Sequence, residues 1–118
     1  DGSFFMNIQE LATLKRYDIP LKIVLLDNSS LGLVRQWQEL FFDNRYSSVE
    51  MENPDFVMLA QAYRVKSAKV DARADLDNAL QTMLAIPGAY LLEVVVETEQ
   101  NVFPMVAAGA SVSDIRLE

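Results

Sequence analysis

The sequence predicts an α/β domain built on a parallel sheet. Leu21-Lys22-Ile23-Val24-Leu25-Leu26 and Tyr90 to Val96 are almost unbroken apolar runs, the pattern of strands buried on both faces. Between them, apolar residues recur at helical spacing in stretches closed by Pro or Gly. Strand patterns alternating with helix patterns call for right-handed crossovers and hence parallel strands.

Each element follows in turn. Phe4, Phe5, Ile8, Leu11 and Ala12 share one helical face, with Ser3 as the N-cap and Asp18 to Pro20 as the stop. After the first strand, Leu31, Val34, Trp37, Leu40 and Phe41 repeat at helical spacing to about Asp43. The polar stretch from Asn44 to Glu52 reads as a surface loop. Asn53-Pro54 has the form of an N-cap followed by proline at the first helical position, and Phe56, Leu59, Ala60 and Tyr63 give that helix its apolar side. Val65 to Val70 forms a shorter strand candidate, and Leu76, Ala79, Leu80 and Met83 mark a helix closed by Pro87-Gly88. Residues 98–118 read as an extended tail, with Val102 to Val106 packed on a neighbour.

Composition narrows the functional classes. The chain has 118 residues, 51% of them hydrophobic, and a net charge of −7 with scattered Lys and Arg, which argues against a nucleic-acid surface. Cysteine and histidine are both absent, which removes thiol nucleophiles, Ser-His-Asp chemistry and histidine-based zinc sites from this chain. No apolar run approaches membrane-spanning length. Asp1 stands where a strand exit is expected but has no strand before it, so the chain reads as a fragment with an unpaired sheet edge and an exposed apolar face.

In parallel sheets, ligands sit beyond the carboxyl ends of the strands. Asp1-Gly2-Ser3 and Asp27-Asn28-Ser29-Ser30 both belong at such ends. Asp1 and Asn28 offer side-chain oxygens, and a carbonyl near Ser30 a third, to a hard cation such as Mg²⁺, which is commonly shared with phosphate oxygens. Gly2 admits a phosphate close to the backbone. The plain alternative is a turn, a helix cap and a polar loop.

The same residues resemble a known family. Asp1-Gly2-Ser3 through Asp27-Asn28 resembles the thiamine-diphosphate motif that runs from Gly-Asp-Gly to Asn-Asn, with the leading Gly outside the chain and Asp27 in place of the first Asn. Gly32-Leu33-Val34-Arg35-Gln36-Trp37-Gln38-Glu39-Leu40-Phe41-Phe42, Arg45-Tyr46-Ser47, Asn53-Pro54-Asp55-Phe56 and Asn101-Val102-Phe103-Pro104-Met105-Val106 are similar to the large catalytic subunit of the acetohydroxyacid (acetolactate) synthases. The resemblance spans nearly the whole chain. It implies the C-terminal portion of a three-layer α/β/α thiamine-diphosphate-binding domain whose first strands are missing.

The resemblance also implies roles. Mg²⁺ would be held by Asp1, Asn28 and the Ser30 carbonyl, with no demand on the Ser30 side chain. Gly2, Ser3, Asn28, Ser30, Gly32 and Leu33 would bind the cofactor, and Trp37 would shape the pocket for the second 2-oxo acid. No residue of the chain is assigned catalysis, and Arg35, Arg45, Tyr46, Glu10 and Glu39 receive no role. The implied parent is a cytoplasmic enzyme in a bacterial source, a homo-oligomer that also uses FAD and can carry a regulatory small subunit. It joins the two-carbon unit of pyruvate to pyruvate or 2-oxobutyrate in branched-chain amino acid synthesis, and the chain alone would be inactive. The alternatives are a glyoxylate carboligase, a pyruvate oxidase or a sulfoacetaldehyde acetyltransferase. Outside enzymes, the chain would be a non-catalytic α/β interaction module.

Overall fold

In the computed structural model, which describes residues 1–117, three parallel strands lie in the order β1 (Lys22–Asp27), β3 (Tyr90–Val95), β2 (Lys66–Val70). Register runs from Lys22 opposite Tyr90 to Asp27 opposite Val95 on one side of β3, and from Lys66 opposite Tyr90 on the other. Each observed strand lies within a residue of its expected bounds. Side chains alternate between faces. Leu25 and Leu91 pack with Leu11, Leu14, Phe56, Ala60 and Val65 on one face, while Tyr90, Leu92, Val70 and Met83 pack on the other. Helices α2 (Glu10–Arg16) and α4 (Phe56–Ala62) supply the first layer, and α5 (Leu76–Ala85) the second. This is a three-layer α/β/α arrangement.

The expectation of a first strand buried on both faces needs correction. Leu25 and Asp27 are buried, but Val24 and Leu26 are 46% and 57% exposed. The α5 layer covers β2 and β3, and β1 is an edge strand of this sheet. An apolar run records what a strand is able to bury, not what covers it.

The first helix is also different. It begins at Gly2, capped by Asp1 and not by Ser3, and α1 (Gly2–Phe5) is a single turn. The Asn7 amide donates back to the Ser3 carbonyl at 3.0 Å, and a run of i→i+3 bonds between Phe4 and Ala12 tightens the chain before α2 starts. Such back-bonding by Asn competes with the regular helical ladder. The buried positions become Leu11 and Leu14, with Phe4 edge-on to Phe56 at 5.8 Å.

α3 (Gly32–Phe41) has the expected bounds but buries a different face. Leu33, Val34 and Phe41 are exposed, and Gln36 is the buried side chain, 1% exposed. Its amide clamps the backbone of Val102: Nε2 donates to the carbonyl at 3.0 Å and Oε1 accepts the N–H at 2.9 Å. Over its described residues, 98–117, the expected tail is therefore not simply extended; residue 118 lies outside them. The tail docks on α3, and β4 (Met105–Val106) pairs antiparallel with β5 (Ile115–Arg116). Arg116 lies over the Phe41 ring at 5.0 Å. Within the expected surface loop, Val49 is buried and its neighbours cross the 28–31 segment, with Leu31 N donating to Val49 O and Met51 N to Ser29 O.

Phe56 is fully buried against the sheet. Phe56→Ala should lower unfolding stability by about 3–5 kcal/mol, while Leu84→Ala at an exposed site should stay within about 0.5 kcal/mol. Urea unfolding monitored by circular dichroism measures both.

Candidate cofactor and metal site

Strand pairing places the site. The ladder continues past β1 through Val96 N to Asp27 O at 2.9 Å, and the backbone nitrogen of Asp1 donates to Leu26 O at 2.7 Å on the free edge of β1. Asp1 and Asn28 thus stand side by side at the carboxyl end of the sheet. One amide atom of Asn28 lies 3.0 Å from Asp1 Oδ1 and 2.9 Å from the Ser30 carbonyl. Turned nitrogen-inward, that amide donates to both oxygens. Turned oxygen-inward, it completes a cluster of three oxygens of the kind that a hard cation draws together.

The loop is shaped to present these atoms. Ser29 adopts a left-handed conformation, φ +51°, which returns its N–H and hydroxyl to Asp27 Oδ1 at 3.0 and 3.2 Å. Ser30 is buried, and its hydroxyl donates to Val49 O at 3.1 Å. The side chain at 30 therefore does matter to the loop, contrary to the expectation that only its carbonyl counts. A Cβ on Gly32 would lie 2.8 Å from Asn28 Nδ2, and one on Gly2 would lie 2.8 Å from Leu31 Cδ2. Both glycines leave room that a neighbouring side chain fills.

Asp1, Gly2, Ser3, Asn28, Ser30, Gly32 and Leu33 all line one open cavity of about 540 Å³, together with Glu97 and Gln100. Leu33 and Val34 also border an apolar groove with Trp37, Gln38 and Phe42. Trp37 is half-buried, edge-on to Phe41 at 5.5 Å, so it lies beside the cavity and not in its wall. The structure thus brings seven of the eight expected residues to one cavity and the eighth to the adjoining groove. Among the described residues, no group of three or more acidic side chains is placed to hold a metal ion. The available donors are one carboxylate, one amide and one carbonyl.

A polar chain that the sequence did not reveal runs beneath the site. Asn53 Nδ2 donates to Asp1 Oδ2 at 2.7 Å and to Asp27 Oδ1 at 2.8 Å. Asn53 does not cap α4; Asp55 does, accepting from Met58 N at 2.7 Å. Asp27 and Glu93 are both buried, and the Glu93 carboxylate pairs with Lys69. Burial pushes the Asp27 carboxyl up, but hydrogen bonds, among them those from Ser29 and Asn53, outweigh it and hold the group below its ordinary value. Glu39, expected to be unpartnered, accepts from Arg35, Tyr46 and Asn101. Arg35 also lies over the Tyr46 ring. These contacts tie α3 to its flanking segments.

Comparisons with known proteins bear on the family and the fold of the chain. The family model described as thiamine pyrophosphate enzyme, C-terminal TPP binding domain, matches residues 1–94. The chain is 52% identical over 116 residues to the acetolactate synthase isozyme 2 large subunit of Escherichia coli K12, covering 98% of the chain and 21% of that protein. It is 43% identical over 109 residues to the mitochondrial acetolactate synthase of Schizosaccharomyces pombe, covering 92% of the chain and 16% of that protein. Among solved structures it is similar to a thiamine diphosphate-dependent 4-hydroxybenzoylformate decarboxylase of Rhodococcus jostii RHA1. That match has a TM-score of 0.77 at 29% identity and covers 85% of the chain and 19% of the other. The chain spans about a fifth of the length of these relatives.

The Lys69–Glu93 pair yields a pH test. The hydrogen bond to Glu93 raises the Lys69 ammonium above its ordinary value, against the opposing effect of desolvation, with further help from the charges of Glu93, Asp27 and Asp55. A raised lysine contributes stability that is complete below the unfolded-state value of about 10.4 and lost as pH rises through the folded one. Lys69→Met should therefore be less stable than the parent from neutrality upward, by a modest margin because Lys69 is half exposed. The margin should close only above about pH 10.4. Urea unfolding between neutral and strongly alkaline pH measures it, and a margin independent of pH would mean that the charge contributes nothing.

Proposed function

The chain belongs to the thiamine pyrophosphate enzyme family as its C-terminal TPP-binding domain, and from that premise we propose that it anchors thiamine diphosphate and Mg²⁺ in an acetolactate synthase large subunit. The observation that carries this reading is the meeting of Asp1, Asn28 and the Ser30 carbonyl at the rim of one cavity. Three hard oxygens with open space beside them suit Mg²⁺, which keeps waters and phosphate oxygens in its remaining positions. Gly2 and Ser3 line the same cavity and would receive the diphosphate, while Gly32 leaves Asn28 the room to turn its oxygen inward. Leu33 supplies an apolar wall, and Trp37 in the adjoining groove would bound the acceptor 2-oxo acid.

The chemistry that such a cofactor supplies is an electron sink for the pair left when a 2-oxo acid loses carbon dioxide. The residues described here bind and orient. No proton-transfer role is proposed for any of them. The proposed substrates are pyruvate as donor and pyruvate or 2-oxobutyrate as acceptor, in branched-chain amino acid biosynthesis. The proposed assembly is a homo-oligomer that also takes FAD, with a regulatory small subunit as the further partner to look for. The proposed compartment, for a bacterial source, is the cytoplasm. Among the described residues, no helix is long and apolar enough to cross a membrane.

Calorimetry on the full-length protein tests the anchor. Asp1→Ala and Asn28→Ala should each weaken Mg²⁺-dependent binding of thiamine diphosphate by about tenfold or more, and chelation of the metal should do the same to the parent. Unchanged binding in both variants would favour the reading in which the chain is an interaction module. The isolated chain should form no acetolactate from pyruvate with thiamine diphosphate, Mg²⁺ and FAD, and turnover by it would refute the division of labour proposed here. Trp37→Leu in the full-length protein should change the preference between 2-oxobutyrate and pyruvate while leaving cofactor affinity in place, which competition between the two acceptors would show.

A further inference from the structure

We propose that Asn53 is the positioning residue for the metal carboxylate: its amide nitrogen ties Asp1 to the buried Asp27, so that the other oxygen of Asp1 is fixed toward Asn28 and Ser30. The inference rests on the metal reading above and deepens it. The nitrogen reaches Asp1 Oδ2 at 2.7 Å and Asp27 Oδ1 at 2.8 Å, which engages both of its hydrogens. Asp1 Oδ2 is thereby occupied, and Oδ1, held by Gly2 N–H at 2.9 Å, faces the Asn28 amide. Rotation of the Asp1 carboxylate would break the Asn53 bond.

The orientation of Asn53 is itself constrained. Its Oδ1 is buried without a hydrogen-bond partner. Buried acceptors are seldom left in that state, and an exception calls for an explanation. Reversing the amide would set its oxygen against two carboxylates, so the unpaired acceptor is the consequence of serving both. The backbone beneath it is stiff. Pro54 restricts the conformation of the residue before it, and Asp55 caps α4 directly afterwards. Asp27, the far end of the bridge, is fixed by the N–H and hydroxyl of Ser29. The carboxylate of Asp1 is thus referenced to the sheet core through Asn53 and Asp27.

The test uses Mn²⁺ as a paramagnetic stand-in, titrated into the full-length protein with thiamine diphosphate and followed by electron paramagnetic resonance. Asn53→Ala should weaken Mn²⁺ binding by about tenfold or more, as removal of partners of metal ligands does, with the far-ultraviolet circular dichroism of the metal-free protein unchanged. If the parent binds and Asp1→Ala loses binding but Asn53→Ala loses less than about tenfold, the positioning role is overturned and the metal reading stands. If the parent fails to bind Mn²⁺, or Asp1→Ala binds as the parent does, both are overturned. Should Asn53→Ala not fold, Asn53→Ser is judged by the same thresholds, because its single hydroxyl hydrogen can serve only one of the two aspartates.

Discussion

The parallel pairing of β1 with β3 is the constraint from which the site follows. Its register sets Asp27 opposite Val95, and the ladder bond from Val96 to Asp27 carries the alignment to the last residue of the strand. Thr98 then reaches back to the Asn28 carbonyl at 2.8 Å, so the loop that presents Asn28 and Ser30 is pinned from the β3 side. Burial enforces the register. Leu91 and Leu92, adjacent in sequence, are both 0% exposed, one in each core. Burying a leucine of this kind contributes about 1.5–3 kcal/mol. A one-residue slip would exchange the faces, putting Glu93 among the apolar residues under α5 and Leu92 beside Asp27.

The same face of the sheet changes character along its length. Leu25 and Leu91 close the apolar core, and the next residues inward on that face are Asp27 and Glu93, both nearly inaccessible. An isolated carboxylate there would be costly to desolvate. Each is instead partnered, Asp27 by Ser29 and Asn53, and Glu93 by Lys69. Lys69 remains half exposed, so the cationic end of the chain is hydrated while the acidic end lies under the cavity. Along this face the apolar core thus gives way to hydrogen-bonded and ion-paired groups.

Much of the fold was readable in the sequence because strands of this type announce themselves by composition, and all three were placed within a residue. Asn28 and Ser30 were readable as a candidate site because they follow directly on a strand, and Asp1 meets them through its backbone bond to Leu26. What escaped depends on contacts distant in the chain. Asn53 precedes a proline and has the local signature of a helix cap, yet Asp55 takes that role. Asn53 is drawn instead to residues 1 and 27, which only the fold brings near. Gln36 escaped because polar residues at helical spacing signal solvent, whereas here the amide finds a backbone partner in Val102. The exposure of Val24 and Leu26 could not be read from the strand itself, since it depends on which elements pack above them.

Gln36 bears on how the apolar wall of the cavity is held. α3 carries Leu33 and Trp37, but its grip on the rest of the domain comes largely from the chain's last third. Gln36 clamps Val102, Glu39 accepts from Asn101, and Phe41 lies under Arg116. The Asp1 end of the cavity, by contrast, is referenced to the sheet through Asn53 and Asp27. The two ends of one cavity therefore have separate mechanical foundations. A substitution that loosens the 101–106 segment and leaves the Thr98 bond to Asn28 in place would displace Leu33 and Trp37 more than Asp1 or Asn28, so the proposed cofactor anchor and the proposed acceptor groove would vary independently.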